Sequence, residues 1–193
     1  YTVAFLQLAV IGATFFMMPE IRGGNWIEGM LEKASITRRA YEAIAELHGL
    51  ELDHDLTLPD PTPDSLEASG LRKLIADIGR LPTSTAFADW ERDLLGAIPD
   101  FLLNYTRYRN WFETVSRTDI EAFLGDSFDD LAAADAAVQA RIDTDDPADD
   151  NELVRLMHRR MLRLSMITAG TNPDETNPFF YILEPVIDRE RDE

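Results

Sequence analysis

Apolar residues recur along most of this chain at the three- and four-residue spacing of a helix face. From Asn25 to His48, Trp26, Met30, Ala34, Tyr41, Ile44 and Ala45 keep that spacing, and Gly49 is suited to the position just past a helix end. Pro59, Pro61 and Pro63 mark a loop over 49–63. Asp64 or Ser65 then caps a helix carrying Leu66, Leu71, Leu74, Ile75 and Ile78, which stops before Pro82. Ser84 or Thr85 caps the next, with Phe87, Trp90, Leu94, Leu95 and Ile98. Pro99 either kinks this helix or opens another. Beyond it runs an aromatic-rich helix with Phe101, Tyr105, Tyr108, Trp111 and Phe112.

Thr118 and Glu121 have the spacing of a capping box, which predicts a new helix from about Asp119 to Ile142. An acidic loop over 143–150 follows, and Pro147 opens a long helix through Leu153, Leu156, Met157, Met161, Leu164 and Ile167, ended by Gly170. Asn177-Pro178 opens a short terminal element, helix or strand, with Phe179, Phe180, Ile182 and Leu183. No other segment alternates in the manner of a strand, and no internal repeat is evident. The fold class read from this pattern is all-α.

Tyr1–Met18 departs from the pattern. It holds no charge, and its polar members are Thr2, Gln7, Thr14 and the Tyr1 hydroxyl. As a helix it covers about 27 Å, against a hydrocarbon core of about 30 Å. It has neither a charged leading segment nor an Ala-x-Ala site, so it reads as a single membrane span and not as a signal peptide. Gln7 and Thr14 share a face, and Ala9 and Ala13 supply a small-xxx-small spacing; all four suit packing against a helix of a membrane protein. Residues 19–24, with Gly23-Gly24, form a hinge, and 25–193 form an irregular acidic domain of about six to seven helices. The alternative is a soluble all-α protein in which residues 1–18 are a buried central helix. That alternative leaves room for an apolar ligand pocket or a metal-dependent enzyme site.

Charge narrows the partner class. The 193 residues include 36 acidic and 18 basic side chains, a net charge of −18, with 21 Asp to 15 Glu and 16 Arg to 2 Lys. Such a surface repels phosphate backbones and excludes a nucleic-acid partner. The Asp excess with almost no Lys fits solubility at high salt, and high-GC codon usage accounts for it equally well. Arg22, Lys33, Arg38 and Arg39 follow the span, yet long domains translocate regardless of charge, and an extracytoplasmic domain is expected. Absence of cysteine excludes disulfides, thiolate catalysis and Cys-ligated zinc.

Candidate chemistry is sparse. Arg155, His158, Arg159, Arg160 and Arg163 read as a solvated helix face or as a site for a small anion or acidic partner. Asp143, Asp145, Asp146, Asp149 and Asp150 lack the Gly and Glu of an EF-hand loop. Asp126, Asp129 and Asp130 have the composition, but not the spacing, of Asp-rich Mg²⁺ motifs in prenyl-diphosphate enzymes, and no second cluster accompanies them. His48, Asp53 and His54 are the remaining weak metal candidates. No nucleophile elbow, zincin, P-loop or dinucleotide fingerprint occurs. Tyr105, Tyr108 and Trp111 are either core or a partner-binding surface. The function expected is a membrane-tethered, non-catalytic accessory or assembly subunit that binds a protein partner. No cofactor is expected.

Overall fold

A computed structural model describes residues 37–169, apart from positions 39, 54–56, 64 and 145. All regular structure among these residues is helical. Helix α1 is seen at 37–38 and 40–48; α2 is Leu66–Ile78, α3 is Ala86–Leu124, α4 is Leu131–Ile142 and α5 is Asp150–Ala169. The predicted span Tyr1–Met18, the hinge, and the terminal element after Gly170 lie outside the described residues. Among the described residues no helix is long and apolar enough to cross a membrane.

Local chemistry sets most of the helix ends. Gly49 follows α1 with φ +64°, a conformation that favours glycine. The Ser65 hydroxyl accepts from Ala68 N at 3.2 Å and caps α2, and Thr85 caps α3 through Ala88 N at 3.1 Å. Helices α2 and α3 form a hairpin in which a β-carbon added at Gly96 would lie 3.9 Å from Ile78 Cγ2. The loop before α2 is tied to the middle of α3, since Thr62 N and Oγ1 both donate to Arg107 O, at 3.2 and 2.8 Å.

Two predicted boundaries are corrected. The helix expected to begin at Asp119 does not begin there: α3 runs unbroken for 39 residues, about 58 Å, through Pro99 and Thr118. Thr118 is an exposed mid-helix residue, and the Glu121 carboxylate accepts from Phe128 N at 3.0 Å in the following turn. The real break is Gly125, at φ +69°, followed by Asp130, whose carboxylate accepts from Ala133 N at 2.8 Å and caps α4. The last long helix starts at Asp150, three residues after Pro147.

Helix α5 runs antiparallel to α3. Leu156 meets Ile120, with Ala134 and Val138 of α4 closing that cluster, while Ile167 meets Tyr108 and Phe112. Both clusters lie along one stripe of α3, which reads Phe87, Trp90, Ile98, Phe101, Tyr105, Tyr108, Phe112, Ser116, Asp119 and Phe123, in steps of three or four residues apart from the eight between Trp90 and Ile98, with Ile120 beside it.

Candidate functional site

The basic cluster of α5 points inward, which corrects the reading of it as a solvated face. His158 is completely buried and Arg163 nearly so. Arg163 Nη1 donates to Asp119 Oδ2 at 2.6 Å, and Arg159 Nε donates to the same oxygen at 3.3 Å. Arg160 grips the Asp135 carboxylate with both terminal nitrogens, Nη2 to Oδ2 at 2.8 Å. This two-pronged geometry fits a guanidinium to a carboxylate and fixes the register of α5 on α4. On the other side, Glu42 Oε1 of α1 lies 3.5 Å from His158 Nε2 and 3.3 Å from Arg38 Nε. Arg155 Nε donates to Glu51 O at 3.3 Å. Helix α5 is thus bound by ion pairs to α3 and α4, and its His158 faces Glu42 of α1.

A small cavity opens in the α3–α5 seam. Its polar lining is Ser116, Asp119, Arg160 and Arg163, and Ile120, Leu156 and Met157 form its apolar floor. Ser116 is 2% exposed, and its hydroxyl finds no hydrogen-bond partner among the described residues. Sequence reasoning singled out the arginines but missed Ser116, Asp119 and Asp135. A signal was present for the first two, because they continue the apolar stripe of α3 at positions where side chains are buried.

The expected partner residues separate. Tyr108 is 6% exposed and packs in the core with Phe112 and Ile167. Tyr105 and Trp111 are half-buried against that cluster, and Tyr105 stacks on Phe101 with centroids 5.7 Å apart. Burial pushes the Tyr105 and Tyr41 hydroxyls up. Gln7, Ala9, Ala13 and Thr14 lie outside the described residues.

The metal candidates do not converge. His48 ends α1 and Asp53 follows in the loop, both exposed; His54 lies outside the described residues. Asp126 accepts from Ser127 N at 2.8 Å, Asp130 is the α4 cap, and Asp129 is exposed. In the acidic loop, Asp146 and Asp149 pair with Arg141, which supports the linker reading. Among the described residues no three His, Asp or Glu side chains are grouped to hold a metal ion.

Two large aromatic side chains stand exposed elsewhere on α3. Phe87 is 65% exposed and Trp90 53%, at the N-terminal end of the stripe that buries Tyr108 and Phe112 further along. Leu95, Leu81 and Leu74 are exposed nearby in sequence on the same hairpin. Phe87 and Gly96 are nine residues apart, on opposite sides of α3, so Phe87 faces away from α2.

No family model, curated protein or solved structure matches this chain.

Proposed function

We propose that the chain is a membrane-tethered, non-catalytic accessory subunit. Its α2–α3 hairpin docks a helix of a partner protein on the Phe87–Trp90 face. The observation carrying this reading is the gradient of exposure along the α3 stripe. The same helical register that is buried at Tyr108 and Phe112 is open at Phe87 and Trp90. A stripe of this kind has the shape that takes an amphipathic helix, and large aromatics are the usual anchors of such interfaces. Glu91 lies one turn from Phe87 on the same side and is exposed, so the occupant carries Lys or Arg beside its apolar residues. The tether reading rests on the uncharged run Tyr1–Met18.

The test is capture of the partner from detergent extracts by the full chain. Replacing Phe87 and Trp90 together by Asp removes the apolar anchor from two exposed positions, so the fold survives by circular dichroism while captured partner falls at least tenfold. Charge reversal at Glu91 weakens capture and makes the residual binding less salt-dependent. Unchanged capture by the Phe87/Trp90 variant sinks the docking face. Alkaline carbonate washing tests the tether separately: a spanning protein stays with the membrane, and one recovered in the wash is not anchored by residues 1–18.

A further inference from the structure

We propose that residues 179–187 of this same chain cover the Phe87–Trp90 face of α3 until a partner displaces them, which rests on the reading of that face as a helix-docking surface. Helix α5 already occupies the same stripe further along. It runs antiparallel to α3, with Leu156 on Ile120 and Ile167 on Tyr108 and Phe112. Its C-terminal end at Ala169 therefore points along α3 toward Phe101, Trp90 and Phe87. Trp90 lies eighteen residues, five full turns, before Tyr108, and Phe87 lies the same distance before Tyr105. The exposed pair thus stands in line with the pair that is packed, and chain continuing the path of α5 meets Trp90 and then Phe87.

Residues 170–193 follow α5 and lie outside the described residues. From Tyr108 back to Trp90 is about 27 Å along α3. The ten residue steps from Ala169 to Phe179 reach up to about 35 Å, enough to bring Phe179 beside Trp90. The sequence from there suits the face. Phe179, Ile182, Leu183, Val186 and Ile187 fall at i, i+3, i+4, i+7 and i+8, the spacing of one helix face, and Pro185 falls on the opposite side. Residues 176–183 carry no charge in a chain of net charge −18, so exposed Glu91 and Asp93 do not oppose their approach. Arg189 and Arg191, interleaved with Asp188, Glu190 and Asp192, follow the apolar run and supply the cation that Glu91 calls for. A segment tethered this closely is present at an effective concentration on the order of millimolar, so a contact too weak to form between separate molecules is filled within one chain.

The chain has no cysteine, so introduced thiols are the only ones present. In the full chain, Glu91→Cys is combined in turn with Tyr181→Cys, Glu184→Cys or Asp188→Cys, and a bismaleimide with a short flexible spacer is added at high dilution. A within-chain crosslink is expected in at least one pairing, and its yield falls about tenfold or more when Phe87 and Trp90 are both replaced by Asp. No within-chain crosslink in any pairing overturns the proposal, as does one that the Asp replacements leave unchanged. Crosslinks between chains give the face to a second copy and overturn it too. Partner capture separates this contact from the docking reading. Phe179→Asp with Leu183→Asp frees the face and is expected to raise captured partner severalfold; where capture depends on Phe87 and Trp90, a level unchanged by these replacements overturns the proposal. Crosslinking without any capture that depends on Phe87 and Trp90 retires the partner reading and leaves the self-contact standing, and such capture without crosslinking does the reverse.

Discussion

Asp100 shows how one residue can work against the fold that holds it. It sits half-buried on α3 directly after the buried Pro99. Burial pushes its carboxyl above the usual carboxylate range, and Arg107 opposes the shift without cancelling it. An acid whose folded value is raised is penalised in the folded state when ionised. The penalty is present above the folded value and is relieved as pH falls through it. Asp100→Asn is therefore expected to raise the melting temperature at pH 7 and to lose that advantage at pH 3, which parallel thermal melts of the two proteins will show. A variant less stable than wild type at pH 7 would mean that the Arg107 attraction outweighs burial. Asp77 has the opposite sign: hydrogen bonds from Lys73 and Arg80 hold its carboxyl low, so its contribution exists above the ordinary carboxylate range and disappears on acidification. Side-chain direction was the least legible property at this scale. Arg159, Arg160 and Arg163 look like surface in a one-dimensional reading, because their burial depends on Asp119 and Asp135, which lie 40, 25 and 44 positions away.

Helix ends were legible where a local side chain makes them. Ser65, Thr85 and Gly49 all act within their own turn, so their roles could be read without knowing the tertiary structure. The Thr118–Glu121 spacing misled because the motif also arises inside helices. What overrides it is the apolar stripe, which continues through Ser116, Asp119 and Phe123 without a change of phase. Pro99 likewise fails to end α3. Proline removes the bond to the carbonyl four residues back, at Leu95, and Leu95 is exposed, so water can serve that oxygen. Gly96 lies close to this break and, Pro99 apart, is the weakest helix former of α3. A methyl group there meets Ile78 Cγ2 at 3.9 Å, an ordinary contact. Gly96→Ala is thus expected to stabilise the chain by about 0.5–1 kcal/mol, read from the urea midpoint at unchanged slope. Gly125→Ala also meets open space, yet its φ of +69° makes it strained, and it is expected to cost about 1 kcal/mol. Equal effects of the two substitutions would remove backbone conformation as the cause.

At the scale of the molecule, the pattern of apolar positions disclosed the all-α class, while the seam joining α5 to α3 and α4 was hidden because long-range charge pairing leaves no local period. The pairing also bears on the net charge of −18. Arg92, Arg109, Arg117, Arg141 and the arginines of α5 are engaged in ion pairs. The unmatched acidic residues are left to repel one another across the surface, as at exposed Asp60, Glu91 and Asp129. Salt acts unequally on these two populations. The screening length falls from about 30 Å at 0.01 M to about 3 Å at 1 M, which removes repulsion between distant surface charges, whereas close and partly buried pairs such as Asp119–Arg163 are screened much less. Stability is therefore expected to rise with ionic strength, most steeply at low salt. Neutralising Asp60, Glu91 and Asp129 together to Asn, Gln and Asn should stabilise the chain at 0.01 M salt, by up to about 0.5 kcal/mol for each charge, and should flatten the salt dependence. A variant with the wild-type salt slope would show that the surface repulsion is not what salt relieves, and that the response comes from general exclusion of salt from the protein surface.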